Sequence, residues 1–179
     1  MMRTSSDRLR HAVLLAVLAA GAMVLSYVEA LLPPLYAAIP GIKLGLPNVV
    51  ITFALYRLGA RDAACISLLR LLGVALLFGN AVTLLYSLAG ALLSWAVMLL
   101  CMRCGVFSAV GVGIAGGVSH NVGQILVAVW LLRTPQIAYY LIVLTFTGTL
   151  AGAFVGCLAG LCVRYTKRVP IERYLGRNK

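Results

Sequence analysis

Several polar side chains lie in the middle of strongly apolar segments, and they are the strongest candidates for a functional site. Arg70 is near the centre of the apolar run 63–78, and His120, Asn121 and Gln124 are in the middle of another run. A charged side chain at the centre of a bilayer costs several kcal/mol, so it usually faces a protein interior or a wet cavity. We therefore expect these residues to form the floor of a polar site inside a membrane protein.

The spacing of the second group predicts a shared direction. On a helix, His120 and Gln124 are one turn apart on the same face, and Asn121 lies beside them, about 100° around the axis. The nearby glycines remove side-chain bulk and leave room for a ligand or for another helix. The alternative is a cluster of hydrogen bonds between helices that only holds the bundle together.

Two further charges belong to the predicted outer side, where they would hold the outer end of a ligand. Glu29 falls near the outer end of the first apolar segment, and Lys43 falls in the loop that follows. Arg70 and Glu29 could form a buried ion pair, which would explain both residues structurally. The estimated depths of Arg70 and Glu29 differ by several ångströms. One of the two cations, Arg70 or Lys43, is therefore left for an anionic ligand. The fork of an arginine suits a phosphate or a carboxylate.

Composition places these residues in a compact polytopic membrane protein. The 179-residue chain is 63% apolar, with four acidic residues and a mean hydropathy of +1.03. A soluble domain of this size cannot bury so much apolar surface. The first apolar stretch is too long for the apolar region of a signal peptide and lacks a cleavage site, so we expect a retained helix.

The predicted fold is an all-α membrane protein, a six-helix transmembrane bundle. Its segments are 12–32, 48–58, 62–79, 82–102, 106–132 and 137–163. A helix needs about 20 apolar residues to cross the hydrocarbon core, so the second segment is too short to cross alone. It either begins inside the preceding loop or is a partial helix within the bundle.

Basic residues orient the predicted bundle. With the N-terminus inside, twelve of them fall at cytoplasmic ends, and the outer side receives Lys43 and Arg133. This asymmetry predicts cytoplasmic termini and a multi-pass protein of the bacterial cytoplasmic membrane. The chain would then comprise a cytoplasmic segment 1–11, a transmembrane domain 12–163 and a basic tail 164–179. The net charge of +11 could suggest a nucleic-acid partner, but the basic residues cluster at helix ends, so we expect the tail to bind anionic lipid of the bilayer rather than nucleic acid.

The outer loop 33–47 contains four prolines and two glycines. Proline restricts its own backbone and that of the preceding residue, so this loop should be stiff and non-helical. Its apolar side chains favour packing onto the bundle, and the alternative is a simple surface loop.

The inventory of catalytic groups predicts binding without catalysis, metal or cofactor. Asp7 and Asp62 are the two aspartates, and they are far apart in the chain. Diphosphate chemistry with magnesium needs clustered carboxylates, and a nucleotide site needs a glycine-rich loop with its lysine. Cys101 and Cys104 have the C-x-x-C spacing of a redox pair, but a zinc site has poor support.

Small residues four apart form three stripes, on segments one, five and six. Such stripes let another helix approach closely, either inside the bundle or from a partner. The stripe on the first segment comprises Ala12, Ala16 and Ala20.

Three strings carry a resemblance to a known family. The residues PGIKLGLPN at 40–48, SLAG at 87–90 and GGVSHNVGQ at 116–124, with Arg70, resemble the bacterial Gx transporter family, also labelled heptaprenyl diphosphate synthase component I. The resemblance spans roughly residues 25–160, and Asn48 closes the first string beside the predicted site. Members also resemble a membrane component found with quinone-synthesis and flavin-dependent extracellular electron-transfer systems.

The same family is similar in size and layout to the substrate-binding S components of energy-coupling factor (ECF) transporters. That similarity implies uptake of a small-molecule ligand, with Ala12, Ala16 and Ala20 docking a transmembrane coupling subunit that works with ATPases. It also implies that the loop 33–47 caps the ligand. Asn48 would join the ligand-binding residues. The alternative implied by the label is a non-catalytic membrane component of polyprenyl diphosphate or quinone synthesis.

Overall fold

A computed structural model describes residues 5–31 and 45–168. Within these ranges the regular elements are helical, as expected of an all-α protein. Lys43, most of the loop 33–47 and the tail beyond residue 168 lie outside the described residues. The elements are α1 (Ser5–Leu31), α2 (Asn48–Arg57), α3 (Ala60–Phe78), α4 (Ala81–Cys104), α5 (Ala109–Leu132), a 3₁₀ helix (Pro135–Tyr139) and α6 (Tyr140–Thr166).

Local sequence signals set several helix ends. Asn80 caps α4 by accepting a hydrogen bond from Thr83 N at 2.8 Å, while the Thr83 hydroxyl accepts one from Asn80 N at 2.9 Å. This reciprocal arrangement satisfies two backbone donors at the helix start. Gly105 ends α4 with φ 69°, a left-handed conformation that glycine adopts without strain. The hydroxyl of Ser108 then caps α5 by accepting from Gly111 N at 3.2 Å.

The short α2 is a partial helix within the bundle, which is the second of the two alternatives drawn from the sequence. It begins at Asn48, directly after a turn at residues 45–47, and has ten residues. It packs against α3 and α6 and touches α1. Four of its side chains are buried: Ile51, Thr52, Ala54 and Leu55. Burial on several sides explains why so short a segment is almost wholly apolar.

Within residues 5–31 and 45–168, four helical stretches are long and apolar enough to cross a membrane: α1, α4, α5 and the 3₁₀ helix continued by α6. Their outward faces expose large apolar side chains, among them Val17, Leu92, Trp130 and Ile142. These features fit a multi-pass membrane protein. Six crossings, cytoplasmic termini and a bacterial cytoplasmic membrane remain predictions.

The helices α2, α3, α4, α5 and α6 contact one another in a closed ring, and α1 packs against α3 and α2. The tightest part is the seam between α5 and α6, where backbones meet. A methyl group on Gly113 would lie 2.6 Å from Gly156 Cα, and one on Gly152 would lie 2.7 Å from Ile114 Cα. The glycine stripes of α5 and α6 therefore pack inside the bundle. Ala12, Ala16 and Ala20, by contrast, are exposed on α1.

Candidate functional site

A cavity of about 170 Å³ lies inside the helix bundle, and all six α-helices contribute to its lining. It brings together six of the seven ligand-binding residues predicted from the sequence, since Lys43 lies outside the described residues. The six that line it are Glu29, Asn48, Arg70, His120, Asn121 and Gln124. Arg70 and His120 reach the same cavity because each lies several turns into its helix and both helices face the same interior.

Arg70 is the basic group in the described lining of this cavity. Its side chain is 9% exposed, and its Nη1 donates a long hydrogen bond of 3.4 Å to the hydroxyl of Ser26. Its Nε is buried and has no hydrogen-bond partner. Buried arginine donors are normally satisfied, because an unpaired polar group in a low-dielectric interior is costly. This guanidinium therefore retains donor capacity toward the cavity.

Glu29 is the acidic group of the cavity and is 7% exposed. Its carboxylate attracts the charge of Arg70, but among the described residues Arg70 makes no ion pair. Oε1 of Glu29 accepts a hydrogen bond from the backbone N–H of Gly45. Gly45 has φ +75°, a conformation that favours glycine. Glu29 thus joins the end of α1 to the turn that precedes α2, in addition to lining the cavity.

His120 lies against the backbone of α4 at Gly90. A methyl group on Gly90 would be 2.9 Å from His120 Cε1 and 2.9 Å from the His120 carbonyl oxygen. The absence of a side chain at Gly90 therefore lets the imidazole lie beside α4 and line the cavity.

Asn121 combines the two roles that the sequence left open. Its Nδ2 donates a hydrogen bond of 2.7 Å to the carbonyl of Leu144 on α6, which is a tie between helices. It also lines the cavity, as does Gln124 one turn further along α5. A hydrogen bond between helices, the alternative drawn from the sequence, is therefore observed for the amide nitrogen of Asn121.

A set of hydroxyl groups in the lining was missed in the sequence analysis. Thr83, Ser87 and Ser94 lie along one face of α4, at spacings of four and seven residues. That spacing follows a helical face and could have been found by the same test that grouped His120 with Gln124. Ser26 precedes Glu29 by three residues and shares its face in the same way.

Apolar side chains complete the cavity wall. Leu71, Val74 and Phe78 on α3 and Leu84 on α4 line it beside the polar groups. A site with one charged donor, several hydrogen-bonding groups and apolar walls is typical of a pocket for a small organic molecule.

Two contacts of ionisable groups near the helix ends lie away from the cavity. His11 Nε2 and Asp62 Oδ2 are 3.1 Å apart, which joins α1 to α3. Arg57 Nη2 donates to the carbonyl of Thr166 at 3.0 Å, which joins α2 to the last turn of α6. In the described part of the chain, His, Cys, Asp and Glu form no group of three that could hold a metal ion. Cys101 and Cys104 are thiols, and their redox role stays a prediction.

Comparison with known proteins assigns the chain to a family. No curated protein and no solved structure matches it, so the similarity to S components remains a prediction. The family model described as heptaprenyl diphosphate synthase component I matches residues 18–162. This range covers all the residues that line the cavity. The chain therefore belongs to the heptaprenyl diphosphate synthase component I family.

Proposed function

We propose that this chain is a membrane-embedded binding subunit, similar to an S component, for uptake of a small anionic or amphipathic organic molecule. Arg70, His120, Asn121 and Gln124 form the floor of the binding site. Glu29, Asn48 and Lys43 hold the outer end of the ligand. Partner subunits provide the energy for release on the inner side.

The observation that carries this proposal is the state of Arg70. A buried guanidinium with an unsatisfied Nε, beside a cavity, leaves a binding opportunity for an anion. Had a neighbouring carboxylate paired with it fully, the side chain would be explained as structural. The attraction of Glu29 offsets part of the cost of burial, and a ligand supplies the hydrogen bonds that are missing.

Binding without catalysis agrees with where the carboxylates lie. Glu29 is the acidic side chain in the described lining of the cavity, while Asp62 contacts His11 at the end of the bundle. Acid–base or metal-assisted chemistry on a diphosphate generally uses several carboxylates around one reacting group. We therefore assign the chain a role in recognition.

Partner subunits fit both the surface of α1 and the name of the family. Ala12, Ala16 and Ala20 leave a low, exposed stripe on α1, flanked by Val13 and Val17, which are also exposed. Small residues permit close approach of a second helix in a membrane. The family is named as one component of a synthase, which implies a system of several subunits. A coupling subunit with ATPases is the partner of the transport hypothesis.

The second candidate is a non-catalytic membrane component of polyprenyl diphosphate or quinone synthesis, or of flavin-dependent extracellular electron transfer. The family name favours it. In that case the chain would hold a partner enzyme or its product at the membrane and would move no solute.

Affinity purification of the full chain from its own membranes under mild detergent separates the two candidates. The transport hypothesis predicts co-purification of an ATPase module and ATP-dependent uptake by reconstituted vesicles. Substitution of Ala16 by Trp on the exposed stripe should abolish the association, while Leu92→Trp on the exposed face of α4 should not. Stable association with a prenyl-transferring enzyme, without ATPases, would overturn the transport hypothesis and support the second candidate.

A further inference from the structure

We propose that the cavity selects a compact monocarboxylate whose apolar body is about the size of one six-membered ring. This deepens the proposed function and rests on it, because it specifies the chemical class of the ligand. Four features of the described residues support it: the volume of the cavity, the form of its cation, the presence of one carboxylate in the lining and the apolar wall.

The volume limits the ligand first. The cavity measures about 170 Å³. An engineered protein cavity of about 150 Å³ holds one benzene molecule. A single ring or a short branched chain therefore fills the space. A chain of several isoprene units exceeds it.

The cation determines which end of the ligand is recognised. Arginine presents its donors as a planar fork that matches the two oxygens of a carboxylate. In Arg70 the Nε lacks a partner and Nη1 has only the 3.4 Å contact with Ser26, so donors remain for one such group. A carboxylate placed here would also neutralise a charge that is otherwise costly at this depth.

The carboxylate of Glu29 distinguishes a monoanion from a dianion. Glu29 lines the same cavity and already interacts with the charge of Arg70. A phosphate monoester carries a charge of about −1.5 to −2 near neutral pH, so it would be repelled by Glu29 more strongly than a carboxylate. The charges of Arg70 and Glu29 sum to zero, so a monoanion leaves one net negative charge in the cavity and a dianion leaves about two, which costs more at low dielectric.

The apolar wall accommodates the rest of the molecule. Leu71, Val74 and Phe78 present one continuous side of α3 to the cavity, since they are spaced three and four residues apart. An apolar ring placed against them would be removed from water. The hydroxyl of Ser87 offers a hydrogen bond to a substituent on that ring but does not require one.

Isothermal titration calorimetry on the purified full chain in detergent micelles tests this selection. The probes are benzoate and cyclohexanecarboxylate, their uncharged counterpart methyl benzoate, and the dianion phenyl phosphate. We expect either carboxylate to bind at least about tenfold more tightly than methyl benzoate or phenyl phosphate. Arg70→Met should weaken benzoate binding by about 30-fold or more, in line with the loss of one partner of a buried charge pair. The matched control, Arg103→Met at the exposed end of α4, should leave it unchanged.

Arg70→Lys keeps the charge but removes the fork, so it provides a test should the methionine variant fail to fold. It should weaken benzoate binding by about tenfold. Equal or tighter binding of phenyl phosphate or methyl benzoate would overturn the inference and leave the binding function in place. Absence of binding by both carboxylates would also overturn it, whereas the uptake assay and the purification of partners test the proposed function separately.

Discussion

The glycine seam between α5 and α6 supports a quantitative prediction for Gly113→Ala. An added methyl group would lie 2.6 Å from Gly156 Cα and 2.7 Å from Gly156 N. Optimal contacts between carbon atoms are about 3.5–4.0 Å, so the two helices must separate by roughly 1 Å. The obstructing atoms belong to the backbone, and no rotamer change can relieve them.

The expected cost follows from overpacking. Insertion of a methyl group into a well-packed interior costs about 1–3 kcal/mol, and the preference of helices for alanine over glycine returns about 1 kcal/mol. We expect Gly113→Ala to lower the free energy of unfolding by up to about 2 kcal/mol. Gly21→Ala is the matched control, because Gly21 is exposed on α1 and a methyl group there meets nothing within 4 Å.

Unfolding by sodium dodecyl sulfate in bicelles, followed by tryptophan fluorescence, measures both variants. The chain has two tryptophans, and Trp95 reports on the bundle because its indole nitrogen donates to the Ala60 carbonyl at 3.1 Å. Equal unfolding free energies for Gly113→Ala and Gly21→Ala would refute the close approach of α5 and α6.

Four further substitutions test the lining of the cavity. Asn121→Leu removes the hydrogen bond to Leu144 and should cost about 0.6–1.7 kcal/mol of unfolding free energy, while Gln124→Leu should cost less, as measured by the same unfolding assay. Glu29→Gln should lower the unfolding free energy of the ligand-free protein by about 1–3 kcal/mol, because Arg70 loses its attraction; an unchanged value in the same unfolding assay would contradict the role given to Glu29. Gly90→Ala should displace the imidazole of His120 and weaken ligand binding. Unchanged NMR chemical shifts of labelled His120 in this variant would contradict the prediction.

The sequence predicts the helical segments well because hydropathy acts along the chain. Segment 82–102 corresponds to Ala81–Cys104, and segment 62–79 corresponds to Ala60–Phe78. The larger difference is at the first helix, which begins at Ser5 rather than near residue 12. A helix does not end where its apolar stretch ends, and the acidic Asp7 in the first turn is favourable at an N-terminus.

The sequence indicates how deep in the bundle the site residues lie, but it does not indicate their contacts. The position of Arg70 and of His120 within their helices indicated that both face the interior, and the structure places both on one cavity. The order of helices around that cavity depends on packing between distant segments, which periodicity does not encode. The tie from Asn121 to Leu144 and the position of His120 against Gly90 depend on that order.

Native mass spectrometry of the purified protein tests the central claim most directly, namely that the cavity around Arg70 receives a small molecule. We expect the wild-type chain and Arg103→Met each to retain a bound molecule of low mass, and Arg70→Met to retain none. Retention of the same molecule by Arg70→Met, or of none by the wild-type chain, would contradict it.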